Sequence, residues 1–112
     1  MNPIDFEDFL KVDLRVGRIL SAKPFPEAKK PAYQLEVDFG CEIGIRKTSA
    51  QITDLYTLNE LPGKLVVGVV NLPKKQIGPF VSECLITGFP DEHNRVVLCQ
   101  PSTDVPLGAR LY

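Results

Sequence analysis

The chain has no tryptophan, a single histidine, and no apolar run near the roughly 18 residues that a membrane-spanning helix requires. Membrane insertion is therefore not expected. Its start, MNPIDFEDF, lacks the basic residues and apolar stretch of an export signal, so the expected location is cytoplasmic. The three cysteines, Cys41, Cys84 and Cys99, form no CxxC pair. That excludes the usual zinc and disulfide spacings and suits reduced, partly buried thiols. His93 sits in the turn sequence PDEHN without a nucleophile or metal-ligand spacing beside it, and Ser49 and Ser82 have no visible catalytic base. A glycine-rich phosphate loop is also missing. No turnover, no cofactor and no metal are expected.

A dominant charge is lacking too. Thirteen Lys and Arg against 14 Asp and Glu leave a net charge of -1, which gives no global field toward nucleic acid. Any such attraction must be local, and three adjacent basic pairs supply it: Lys29 with Lys30, Arg46 with Lys47, and Lys74 with Lys75. Acidic residues gather elsewhere, at Asp5, Glu7, Asp8 and Asp13 and at Asp91 and Glu92. Charge doublets of this kind are commonly solvated surface, so position must decide whether they mean more.

At 112 residues the chain supports one domain, spanning 1–112, with 1–11 and 101–112 as terminal extensions. Near the start, Asp5 can cap a short helical turn, and Ile4 and Phe9 are spaced as a hydrophobic staple. Val12, Leu14 and Val16 alternate in one phase until Gly17 interrupts, which predicts a curved first strand with a bulge. Pro24 to Pro31 is a stiff loop. Tyr33, Leu35, Val37 and Phe39 then alternate with Gln34, Glu36 and Asp38, a half-buried second strand ended by Gly40. Ile43 and Ile45 open a third strand that carries Arg46 and Lys47. Ile52, Leu55 and Tyr56 recur at helical spacing and predict an irregular helix after Ser49. Leu65 to Val70, apolar on both phases, reads as a buried strand, and Phe80 to Thr87 and Arg95 to Gln100 as two more. The predicted class is all-β: a five-stranded OB-fold Greek-key barrel with a short N-terminal helical turn, an irregular helix between strands 3 and 4, and terminal extensions.

The segment VVNLPKKQIGPFVSE, Val69 to Glu83, is longer than chain reversal needs and mixes lysines with apolar residues, which suggests a contact loop. With FPEAKKPAYQLEVDFG, EIGIRKTSAQIT and VVLCQP, it resembles the CsaA family over nearly the whole chain. That family belongs to a wider tRNA-binding-domain group, which includes domains appended to methionyl- and phenylalanyl-tRNA synthetases. The resemblance implies an OB-fold core, terminal additions that pair two subunits, tRNA-binding capacity, and a role as an export-related chaperone for unfolded preproteins. By matching position it marks Lys47, Ser49, Asn71, Lys74, Lys75 and Ser82 as binding residues. Glu83 and Cys84 depart from the glycine and methionine that tRNA-binding relatives tend to carry after the serine. A glutamate there lowers the local positive potential.

In an OB-fold, strands two and three form the ligand face, flanked by the loops between strands one and two and between strands four and five. Lys29 and Lys30 fall in the first loop, Arg46 and Lys47 on strand three, and Lys74 and Lys75 in the second loop, so all six are expected to converge. The expected partner is tRNA or another structured RNA, bound by shape and phosphate contacts. Phe25 and Phe80 are the available platforms for unstacked bases, since Tyr33 and Phe39 belong to the core. The alternative is a purely peptide-binding secretion chaperone with no physiological RNA ligand. It would hold unfolded preproteins on Leu72, Pro73, Ile77, Pro79 and Phe80. A homodimer is expected to bury Ile4, Phe6, Phe9, Leu10, Val105, Leu107, Leu111 and Tyr112, which exceed what closing the barrel requires.

Overall fold

The computed structural model describes residues 1–112 and is almost entirely β. A five-residue helix α1 (Phe6–Leu10) precedes β1 (Leu14–Pro24), β2 (Tyr33–Asp38), β3 (Ile45–Ala50) and β4 (Leu65–Val69). Short strands follow: β5 (Lys75–Ile77), β6 (Phe80–Ser82), β7 (Leu85–Ile86), β8 (Gly88–Pro90) and β9 (Val96–Leu98). The main sheet is antiparallel in the order β3-β2-β1-β4-β7, with β5-β6 and β8-β9 as separate hairpins. The barrel closes where Glu83 N–H donates to Lys47 O at 2.8 Å and the buried Thr48 hydroxyl donates to Cys84 O at 2.7 Å. This is the five-stranded OB-like barrel that the strand order predicts.

Packing explains the pattern. Strand β4 is buried at every residue because the barrel interior takes one face, with Val66 in the main core, and the C-terminal residues Val105 and Leu107 pack on Leu65 and Val67 of the other. Phe39, at the end of β2, lies so close to β1 and β4 that a Cβ on Gly17 or Gly68 would stand 2.8 Å from its ring. Gly17 thus admits the core aromatic. The bulge itself lies further along, where the β1–β2 register slips between Ile19 and Ser21. It still bends the strand, so β1 pairs with β4 through its first half and with β2 through its second.

Three expectations are corrected. The irregular helix after Ser49 is absent, and residues 51–64 form a succession of turns. The core anchors Ile52 and Leu61, 4% and 0% exposed, lie at opposite ends of this segment, while Leu55 is left on the surface. Tyr56 holds its middle by accepting from Tyr33 Oη at its carbonyl and from Leu98 N–H at its hydroxyl. The expected strand from Phe80 to Thr87 divides into β6 and β7, because Ser82 and Cys84 turn inward to Thr48. The C-terminal extension is part of the barrel. Gly108 N–H donates to Val16 O, Val16 N–H to Ala109 O, and Leu111 N–H to Leu14 O.

The helix is held differently from its sequence signals. Asp5 occupies the N-cap position, but its side chain makes no cap bond, and Phe6 packs against Phe9, with ring centroids 5.9 Å apart. None of the helical residues is buried. No helix in the molecule is long and apolar enough to cross a membrane.

Candidate nucleic-acid interface

The register of the first three strands sets out one outer face of the barrel in rows. Lys23 opposes Gln34, which opposes Ser49; Ser21 opposes Glu36, which opposes Lys47; Arg18 opposes Asp38, which opposes Ile45. These residues stand outward, because Leu35, Val37, Thr48 and Ala50 in the alternate phase are buried. Lys29 and Lys30 are exposed in the loop that follows β1. The same pleat separates Arg46 from Lys47: Arg46 shares the phase of Thr48 and is close enough for its charge to act on the Cys84 thiol. Lys23 and Gln34 are not among the site residues expected from the sequence. The alternation of β2 carries the signal for Gln34, whereas Lys23 lies past a bulge that hides its phase.

The segment after Asn71 is a compact hairpin. Lys75 pairs with Ser82 and Ile77 with Phe80 around Gly78 and Pro79; Gly78 has φ +56, a left-handed conformation that glycine tolerates. The Phe80 ring packs against Phe25 at 5.3 Å, and the Lys47 ammonium lies 5.4 Å from its centroid. Phe25 is only 4% exposed and supports Phe80 from behind, so it cannot itself offer a stacking face. Phe80, half-buried, remains the aromatic at the centre of the cations.

Two residues marked by the resemblance have internal partners. Ser82 is buried, its hydroxyl 3.1 Å from Thr48 Oγ1 and accepting from Ser49 N–H at 3.3 Å. Asn71 accepts from Asp13 N–H at 2.9 Å and donates to Lys11 O at 2.7 Å. Glu83 also has structural work, accepting from Lys47 N–H at 3.0 Å while its other carboxylate oxygen sits 3.7 Å from Lys74 Nζ. Lys74 is thereby partly neutralised. Of the other basic residues, Lys11, Arg15, Arg95 and Arg110 are ion-paired near the termini and in the β8–β9 turn. The remaining eight of 13 form no ion pair, and all lie between Arg18 and Lys75. Burial pushes the neighbouring Cys84 thiol up to about 11, against the lowering effect of the Thr48 hydrogen bond and the Arg46 charge. Cys41, by contrast with the expectation of partial burial, is exposed.

Beside this face runs a groove of about 570 Å³ between the end of β3, the base of the hairpin and β7. Leu72, Pro73 and Ile77 line it together with Ser49, Lys75 and Ser82, so members of the expected peptide and RNA sets share one cleft. Pro79 and Phe80 lie outside it. Its lining contains one cation and no carboxylate. Among the residues assigned to pairing of subunits, Ile4, Phe6, Leu10, Leu111 and Tyr112 are exposed and Phe9 is half-buried. Val105 and Leu107 instead pack on Val16, Leu65 and Val67 of their own barrel. No group of three or more His, Cys, Asp or Glu side chains gathers closely enough to hold a metal ion.

A small OB-like barrel whose outer face carries unpaired cations, flanked by an aromatic and an apolar groove, defines a binding module of the oligonucleotide type. The family model of the tRNA binding domain matches residues 14–110. Methionine–tRNA ligase from Pyrococcus horikoshii is 38% identical over 111 residues, 99% of this chain and 15% of the ligase. That from Protochlamydia amoebophila is 40% identical over 91 residues, 81% of this chain and 13% of the ligase. The chain therefore spans about a seventh of these relatives' length. The crystal structure of chaperone CsaA from Bacillus anthracis str. Ames superposes with a TM-score of 0.92 at 44% identity, covering 99% of this chain and 100% of that one. The CsaA chaperone of Picrophilus torridus gives 0.91 at 42%, covering 98% and 100%. The chain belongs to the tRNA-binding-domain family, on its CsaA branch.

Proposed function

We propose that this chain is a non-catalytic RNA-binding protein that holds tRNA, or another structured RNA, against the outer face of β1–β3 and the β5–β6 hairpin, working as a cytoplasmic homodimer. The observation that carries this reading is the division of the cations. Those near the termini and the β8–β9 turn are neutralised by acids, whereas Lys23, Lys29, Lys30, Arg46, Lys47 and Lys75 have no ion-pair partner. An unpaired lysine can release a phosphate counterion on binding, while a paired one must first lose its own partner. Bound tRNA would lie across the rows, with phosphates on Lys23, Lys47, Lys75 and the Lys29–Lys30 loop, and Phe80 available to an unstacked base. Fluorescence anisotropy with bulk tRNA tests it. Lys23→Glu together with Lys47→Glu should abolish most binding with little change in melting, and unaltered affinity would refute the assigned face.

A second reading is supported by the groove and by the likeness to the two CsaA chaperone structures. Leu72, Pro73 and Ile77 offer apolar contacts, and an extended segment of an unfolded preprotein would fit along them. Capture of an apolar peptide should persist or tighten as salt rises, the opposite of RNA. Competition settles the relation between the two: peptide and tRNA displace one another only if both use the Ser49–Lys75 rim.

A further inference from the structure

The N-terminal helix buries none of its own residues, so something other than a hydrophobic seat must hold it to the barrel. Four hydrogen bonds do. Arg110 Nη2 donates to Leu10 O at 2.6 Å, Val70 N–H donates to Asp13 O at 3.0 Å, and the Asn71 amide supplies the other two, to Lys11 O and from Asp13 N–H. Asn71 is also the residue at which the chain leaves β4 for the hairpin, three positions before Lys74 and four before Lys75. Both ends of its amide are therefore committed to a segment 58 and 60 residues away in sequence.

We propose that Asn71 is a positioning residue that couples the N-terminal segment to the RNA-binding hairpin. The proposal rests on the RNA-binding reading above. When residues 11–13 are docked, the amide is held and the chain enters the hairpin in one direction, with Lys75 presented opposite Ser82 at the rim of the groove. When they are undocked, the exit from β4 loses three long-range hydrogen bonds, one at Val70 and two at Asn71, and the hairpin must be ordered by the RNA itself at a cost in affinity. Such coupling is reciprocal, so RNA bound on the hairpin must tighten the N-terminal segment by the same factor. The exposed apolar residues Ile4, Phe6 and Leu10 ride on that segment, so whatever surface covers them would also feel the state of the hairpin.

The test is a double-mutant cycle on the full chain, read as affinity for bulk tRNA. Asn71→Ala should weaken binding about fivefold or more. Asp13→Pro removes the N–H that Asn71 accepts, whereas Asp13→Ala keeps it and serves as the control for loss of the carboxylate. Coupling predicts that Asn71→Ala costs the same in wild type and in the Asp13→Ala background, and much less in the Asp13→Pro background. Equal cost in all three would make Asn71 a direct RNA contact and overturn the proposal, as would no cost in wild type. Amide exchange of residues 6–13 gives an independent readout that needs no proline variant. Saturating tRNA should slow it in wild type and not in Asn71→Ala, and exchange unchanged by bound tRNA in wild type contradicts the coupling. Failure of wild-type protein to bind tRNA at all would be a failure of the functional reading instead.

Discussion

The Lys47 ammonium lies 5.4 Å from the centroid of the Phe80 ring, joining β3 to the hairpin at the point where Phe80 also packs on the loop residue Phe25. One aromatic thus links the three segments that carry the basic pairs. Phe80→Leu keeps an apolar side chain while removing the π face, so it should cost about 1 kcal/mol of stability. It should weaken RNA binding by more than that if bases stack there, because stacking is worth about 1–3 kcal/mol per base. Melting and tRNA affinity measured on the same protein separate the two losses.

The neighbouring lysines of the hairpin are unequal. Lys74 faces Glu83 at 3.7 Å, whereas Lys75 has no acidic partner. Lys75→Ala should therefore weaken tRNA binding more than Lys74→Ala, and only Lys75→Ala should clearly reduce the salt slope, by about one phosphate contact. The double change of both lysines to glutamate should greatly reduce retention on a tRNA column without unfolding, since both side chains are exposed.

Glu83 separates charge from geometry. Glu83→Gln keeps an oxygen for Lys47 N–H while removing the negative charge from beside the lysines, so RNA affinity should rise at nearly constant stability. Glu83→Ala leaves that N–H without its partner and should cost about 1 kcal/mol. Chemical denaturation and tRNA titration of both variants check the contrast.

Removal of the chain from Asp104 onward should damage the barrel and not merely its pairing with a second copy. Three backbone hydrogen bonds to β1 and the packing of Val105 and Leu107 on Val16, Leu65 and Val67 are lost together. At about 1 kcal/mol per hydrogen bond, plus the apolar area, the loss is several kcal/mol. Calorimetry should register a large fall in melting temperature.

Cys84 provides the pH dependence. Its thiol is pushed up to about 11 in the folded chain, from an ordinary value of 9.0. Below about 9 both folded and unfolded chains hold this proton, and its contribution to stability is constant. Between 9 and 11 the unfolded chain gives it up first, so this contribution is lost as pH rises, by about 1.4 kcal/mol per unit. In the native protein at pH 8, iodoacetamide should modify exposed Cys41 and spare Cys84.

The strands were legible where one face alternates cleanly. Tyr33 to Phe39 announced β2 and its outward residues, and the apolar run from Leu65 announced the buried β4. The helix expected after Ser49 does not form: Ile52, Leu55 and Tyr56 happen to fall at helical spacing, while the core takes Ile52 and Leu61 and the carbonyl and hydroxyl of Tyr56 take partners 23 and 42 residues away. Gly17 suggests a bulge from sequence alone because a glycine in a strand has two uses, and here the close approach of Phe39 is the operative one. Asn71 and Ser82 stood out by pattern, but their hydrogen bonds reach 58 and 33 residues along the chain, which no local window can see. The C-terminal segment reads as surplus in the sequence because its pairing with β1, three backbone hydrogen bonds around the single bridge of Arg15 with Arg110, is too short to leave a strand pattern.

The most direct measurement is the salt dependence of tRNA affinity for wild type and for Lys47→Glu with Lys75→Glu. With the unpaired cations as the binding surface, log Kobs should fall linearly with log salt at about 0.7 to 0.9 per phosphate contact, with a total slope of several units in wild type and a shallower one in the variant. A slope near zero in wild type, or one the substitutions leave unchanged, would contradict it.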